Sequence, residues 1–268
     1  MIPQLYSTSK ISTHYDTGEK PVLVECNDMH SYICKYPRYS GNAGKLVCEL
    51  LGALLAKAWK LNTPDVAFVG VRQHHVPADM SGSLFSRILL GSRKCENVID
   101  ITSGTIPNIS PSVQLTKQLL KIALFDMWIA NEDRNANNAN LMYDLVNDSL
   151  VAIDFGCSFN TSTLEYPLSQ LTETDSIINS DLFRQIAKNM SDEQVKEMAN
   201  ELVEHDYPAA LSASKEVIES GIENIVPKEW SFHKDVLRMK TNELLTREWT
   251  SNVKTNYEEI LNSVLNNG

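Results

Sequence analysis

The stretch NEDRNANNAN, residues 131–140, sets Asp133 and Arg134 among five asparagines, directly after the apolar run LLKIALFDMWIA. Asparagine tolerates left-handed backbone and bonds its own chain, so the patch reads first as a turn. Its surroundings add a second reading. Asn138 follows Asp133 by five positions. Two short β-rich runs come next, NLMYDL and SLVAIDF, joined across Val146-Asn147-Asp148-Ser149 in the manner of a hairpin. The hairpin delivers Asp154, Phe155 and Gly156, with Asp154 lying 21 positions after Asp133. Two carboxylates and one amide thus stand at the rims of rigid elements.

Such a set suits phosphoryl transfer. A carboxylate at Asp133 orients the attacking hydroxyl and takes its proton, while Asn138 and Asp154 supply oxygens for Mg²⁺ on the nucleotide phosphates. The D-x-x-x-x-N spacing followed by a hairpin and D-F-G is the catalytic arrangement of protein kinases. That chemistry also requires a lysine on an early strand and a glutamate on the helix behind it. Lys35 lies in SYICKY (residues 31–36) and Glu49 in LVCELLGALL, 14 positions later. Glu49 sits among Val47, Cys48, Leu50 and Leu51, where a buried carboxylate is costly without a partner. Lys35 alternates with Ile33, which turns it toward a cleft.

Working outward, PVLVEC (residues 21–26), SYICKY and DVAFVGV (residues 65–71) read as strands, with a turn at residues 27–30. LVCELLGALLAKAWKL (residues 46–61) reads as a helix buried on more than one side. SLFSRILL (residues 83–90) is a strand or a connector, and the stretch to about residue 110 is loop-like. A long helix then starts at Ser110-Pro111. SDEQVKEMANELVEH opens with a capping box, Ser191 with Gln194, and Pro227 stands near a further helix start. The expected fold is therefore α+β, with a β-rich half holding one central helix (residues 1–92) and a mainly helical half carrying the hairpin (residues 93–268).

YICKYP, ELLGALLAKAWKLNTPDV, FDMWIANEDRNANNANLMYD and VAIDFG resemble the HipA-like kinase group, relatives of the protein-kinase and phosphatidylinositol 3-/4-kinase superfamily. The resemblance spans roughly residues 20–160. It implies a bilobed protein-kinase-like fold, ATP and Mg²⁺ as cofactors, and transfer to a Ser/Thr hydroxyl of a protein substrate. It implies Asp133 as the catalytic aspartate, Lys35 on the α/β-phosphates with Glu49 holding it, and Asn138 and Asp154 as metal ligands. It also implies a toxin or defence role with a small antitoxin-like inhibitor as partner. The sequence departs from the wider pattern in three places. Asp133-Arg134 replaces H-R-D, with Asn135 where lipid-kinase relatives often carry histidine. No G-x-G-x-x-G precedes Lys35, leaving residues 7–20 or the turn ECNDMH (residues 25–30) to cover the phosphates. No A-P-E segment follows Asp154. A phosphatidylinositol or small-molecule kinase and a nucleotide-binding pseudokinase therefore stand as alternatives. Ser7, Ser9 or Ser12 are candidates for regulatory phosphorylation, as in HipA-type loops.

Composition narrows the partners. The net charge of −10 divides into −1 over residues 1–159 (14 Lys+Arg, 15 Asp+Glu) and −9 over residues 160–268 (10 against 19). An acidic surface repels nucleic acid and anionic lipid, so neither is an expected partner. No run approaches the roughly 18 apolar residues of a membrane span, and the start lacks a signal-peptide core, which places the chain in the cytoplasm. Five cysteines without a CxxC pair, four of them in apolar runs, read as free thiols. His74 and His75 lack companions at zinc-ligand spacing. Trp59, Trp128, Trp230 and Trp249 read as core, and Arg87 as a solvated or paired arginine rather than a cleft residue.

Overall fold

The computed structural model describes residues 2–16, 18–37, 43–78, 88–162, 164 and 166–267. Its first sheet has the strand order β1-β5-β6-β4-β3-β2. The strands are β1 (Gln4–Tyr6), β2 (Thr13–His14), β3 (Val22–Glu25), β4 (Ser31–Lys35), β5 (Val66–Gly70) and β6 (Ile88–Arg93). Alternation decides which face each residue meets. In β4, Tyr32 and Cys34 join Val22, Val24, Ala67, Val69 and Leu89 in one core on the closed face. Ile33 and Lys35 therefore point to the other face, toward helix α1 (Ala43–Ala58). Residues 83–87, including Arg87, lie outside the described residues.

Helix α1 is apolar almost all round, and it is buried from Leu46 to Ala56 except at Leu54. Just beyond its end, Trp59 packs against Phe125, Trp128 and Tyr207 at centroid distances of 5.2, 5.3 and 5.7 Å. The Trp59 indole N–H donates to Ser214 Oγ at 3.1 Å. One hydrophobic core runs from α1 through the rest of the chain, so α1 is held by the helical half as well as by the sheet.

Helix α2 (Val113–Ile129) begins two positions later than its prolyl signal suggests, because Ser112 rather than Ser110 caps it, accepting from the Leu115 N–H. It ends where Ala130 turns left-handed at φ 51°. A three-stranded sheet follows, ordered β7-β8-β9: β7 (Val98–Asp100), β8 (Leu141–Asp144) and β9 (Ser149–Ala152). The β8–β9 hairpin lies where the sequence places it. Strand β7 falls in the stretch read as loop, since three residues carry no periodicity and form a strand only by pairing with β8. The remaining helices are α3 (Asp181–Ala187), α4 (Asp192–Glu201), α5 (Tyr207–Glu219), α6 (Lys234–Glu243) and α7 (Arg247–Asn267). The Ser191–Gln194 capping box is present at α4. Pro227 instead precedes a 3₁₀ turn at Lys228–Trp230, and α6 starts only at Lys234.

All four tryptophans are buried. Three of the five cysteines are buried (Cys26, Cys34 and Cys48), one fewer than the apolar runs suggest, and all five are free thiols. Among the described residues, no helix is long and apolar enough to cross a membrane.

Candidate active site

Lys35 ends β4 and reaches across to α1. Its ammonium donates to Glu49 Oε2 at 2.7 Å and to Asp154 Oδ1 at 2.7 Å. Side-chain exposure rises from 6% at Glu49 through 19% at Lys35 to 38% at Asp154, so the trio runs from the core out to an open carboxylate. Burial pushes the Glu49 carboxyl up against the pull of Lys35. Burial also opposes ionisation of Asp154, but the Lys35 ammonium outweighs it and holds that carboxyl below its ordinary value. The two carboxylates in turn more than offset the burial of Lys35 and raise its pKa.

Asp154 stands just past β9, in left-handed backbone at φ 57°. That conformation is costly for a residue other than glycine and is characteristically kept where function needs it. Phe155 anchors it by packing under α1, edge-on to Phe125 at 5.9 Å. Gly156 lies so close to the trio that an added Cβ would stand 3.3 Å from Glu49 Oε2.

Asp133 sits in the loop after α2. Its Oδ2 accepts from Asn138 Nδ2 and from Asn140 Nδ2, each at 3.1 Å. With its N–H₂ so engaged, Asn138 keeps its carbonyl oxygen for another ligand. Asn135 donates to the Glu132 carbonyl at 3.0 Å and accepts from the Asn137 N–H at 3.0 Å, so it braces the loop. The structure thus gathers Lys35, Glu49 and Asp154 directly, and Asp133 with Asn138 directly. Cys157 feels both groups: burial raises its thiol to about 11, with Asp133 and Asp154 adding to the effect.

Strand register separates the two candidates for a phosphate-covering loop. Val22 pairs with Cys34, beside Lys35, whereas Glu25 pairs with Ser31 at the far end of the hairpin. The described part of the connection between β2 and β3, residues 15, 16 and 18–21, is therefore at the Lys35 end, and the ECNDMH turn points away. The Tyr15 N–H closes that connection on the Pro21 carbonyl at 2.9 Å. Glu19 ties it to Lys45 on the first turn of α1 at 3.0 Å. Ser7 is fully buried against His75, while Ser9 and Ser12 are exposed.

Among known protein families, the HipA-like kinase description matches residues 9–259. The chain belongs to the HipA-like kinase family. Among solved structures, the HipA-like kinase is similar to the Helicobacter pylori proinflammatory kinase CtkA at 12% identity. That match covers 97% of this chain and 99% of CtkA, with a TM-score of 0.58, a likeness of fold. A second match, at 10% identity, is a chain described as the open conformation of CtTel1. It covers 94% of this chain but 12% of that one, with a TM-score of 0.35. A search of the curated proteins finds no match.

Three residues that shape the site of this HipA-like kinase go unassigned by sequence reasoning. Asp126 on α2 is fully buried and accepts from Asn131 Nδ2 at 2.9 Å and from Arg134. Burial pushes its carboxyl up despite the Arg134 cation. Arg134 itself has no exposed surface. Asn140 was a turn former by sequence, yet it holds Asp133 as firmly as Asn138 does. A carboxylate set within the apolar run IALFDMWI (residues 122–129) is a signal of the same kind as Glu49, and it points to Asp126. Beyond Gly156, Phe159 to Ser162 form a left-handed turn with φ between 53° and 60°. It is pinned to the Asp133 loop by the Thr161 hydroxyl, which donates to Glu132 Oε1 at 2.6 Å.

Proposed function

We propose that this HipA-like kinase uses ATP and Mg²⁺ to phosphorylate a serine or threonine hydroxyl on a protein. The observation that carries the reading is the Lys35 ammonium held 2.7 Å from both Glu49 and Asp154, beside a loop that presents Asp133 with one oxygen free. In this reading the nucleotide lies between an N-lobe of residues 1–92 and a C-lobe of residues 93–268, under the connection between β2 and β3.

The donor set fits a hard divalent cation. Asp154 is an ionised, partly open carboxylate, and Asn138 offers a carbonyl oxygen, the ligands that Mg²⁺ takes together with phosphate oxygens and water. Held by Asn138 and Asp154, Mg²⁺ would neutralise charge on the phosphate oxygens. The chain's own groups do the rest. Lys35 Nζ binds non-bridging phosphate oxygens, and Glu49 fixes its direction. Asp133 Oδ2 is occupied by two amide N–H groups, so Oδ1 faces the acceptor hydroxyl and takes its proton. The phosphorus–oxygen bond to ADP breaks as the bond to the acceptor oxygen forms. Catalysis of this kind rests on positioning and charge neutralisation.

The test is incubation with ATP labelled at the γ-phosphate, Mg²⁺ and a bacterial protein extract. The reading predicts acid-stable label on phosphoserine or phosphothreonine. Label extracted into the lipid phase would move the acceptor to a phosphoinositide, and binding of ATP without any transfer would make the chain a pseudokinase.

A further inference from the structure

Arg134 follows Asp133 in the chain and is wholly buried, yet every one of its bonds ends on a part of the active site. Nη1 pairs with Asp126 Oδ1 on the last turns of α2. Nη2 donates at 2.7 Å to the carbonyl of Ile153, the residue before Asp154. Nε donates at 3.4 Å to the carbonyl of Asn140, whose side chain holds Asp133 Oδ2. The guanidinium also lies over the Phe155 ring, 5.0 Å from its centroid, and Phe155 follows Asp154.

We propose that Arg134 is a positioning residue that fixes Asp133 and Asp154 relative to each other. It acts on Asp133 through Asn140 and on Asp154 through the Ile153 carbonyl and the Phe155 ring. Asp126 serves as the anchor that holds the guanidinium in place between them. The planar fork suits the task, because it delivers donors in several fixed directions at once, which an ammonium cannot. Asp133 and Asp154 stand on different elements, the loop after α2 and the end of β9. The two segments' backbones also meet directly where the Ile153 N–H donates to the Asn140 carbonyl at 3.1 Å, the same carbonyl that Arg134 grips. The left-handed φ of 57° at Asp154 is costly without outside restraint. Arg134 supplies restraint there through the Ile153 carbonyl and the Phe155 ring.

This inference rests on the kinase reading above, and the experiment separates the two. Transfer of labelled phosphate from MgATP, to the chain itself or to water, is measured for the parental chain, Arg134→Lys, Asn140→Ala, their combination, and the pair Asp126→Asn with Arg134→Leu. The last variant removes both buried charges together, so it leaves no unpaired charge in the core. Arg134→Lys satisfies Asp126 but cannot also reach the Ile153 and Asn140 carbonyls. A displacement of the reacting groups by an ångström costs about 10²-fold. The proposal predicts a loss in kcat of that size for Arg134→Lys and for the charge-free pair. KM for ATP stays within about threefold, because Lys35 and Glu49 are untouched. Because Asn140 and Arg134 act through one path, their combination loses no more than Arg134→Lys alone. Parental kcat in a folded charge-free pair, or fully additive losses in the combination, would overturn the role of Arg134 and leave the kinase reading intact. A parental chain that transfers no phosphate under the same conditions would overturn both.

Discussion

Gly52, in the middle of α1, lies so close to Phe155 that a β-carbon on it would fall 2.2 Å from the Phe155 Cβ. Helix α1 and the segment after β9 therefore meet backbone to side chain, with no room for a methyl group. Glycine inside a helix ordinarily costs about 0.5–1 kcal/mol relative to alanine. Here the sign reverses. Gly52→Ala is expected to destabilise the fold by about 1–3 kcal/mol, the range for overpacking. Phe155 must move, and Asp154 moves with it away from Lys35. Urea unfolding together with a phosphotransfer assay checks this; a variant that gains stability and keeps its rate contradicts the packing described.

Glu49 is the most enclosed member of the Lys35 trio. Removing one partner of a buried ion pair costs about 3–5 kcal/mol when the other is stranded. Lys35 keeps Asp154 as a partner, so Glu49→Gln should fall below that range. The functional effect is larger: the ammonium swings onto Asp154, and kcat/KM for ATP should drop about 10²-fold through misplacement of the cation proposed to bind the phosphates. Steady-state kinetics at saturating Mg²⁺ measure it, and an unchanged kcat/KM would remove Glu49 from the site.

Four of the five residues that carry the proposed chemistry stand out in the sequence because each breaks a local rule, and Lys35 stands out only beside Glu49. Glu49 is a carboxylate in an apolar helix, and Asp154 ends a hydrophobic strand. Asp133 and Asn138 follow a long buried helix at a spacing that a simple turn does not require. Arg134 was visible but not interpretable, since its bonds go to backbone carbonyls whose positions depend on tertiary structure. Asp126 and Gly52 carried a usable signal, a charge and a glycine inside helices, whose meaning only their contacts give. Strand β7 had no signal, since its three residues pair with β8 across more than forty positions of chain. Ser7 reads as part of a hydroxyl-rich loop, yet β-bridging to Cys26 draws it into the core.

Ser7 Oγ accepts from the Arg72 N–H at 2.9 Å and so turns its proton toward His75 Nδ1, 2.8 Å away. Burial, with His74 and Arg72 nearby, lowers the His75 pKa. The unfolded chain holds histidine near its ordinary value of about 6.5. A folded value below that means the unfolded state takes the proton first. The contribution of His75 is therefore whole above about pH 6.5 and is lost as the pH falls through its folded value. His75→Asn, which keeps an acceptor for Ser7, should narrow the gap between thermal midpoints at pH 7.5 and pH 5. A gap identical to the parental one would assign the acid sensitivity elsewhere.

The central claim is that Asp133 takes the proton of the acceptor hydroxyl. Asp133→Asn keeps the size of the side chain and its place beside Asn138 and Asn140 but cannot accept that proton. The direct measurement is transfer of γ-phosphate from labelled ATP by this variant, run beside the parental chain with the thermal midpoint of each. A fall of about 10²–10⁴-fold, the usual contribution of a positioned base, at a nearly unchanged midpoint is the predicted result. Transfer at the parental rate by the folded variant would contradict the account.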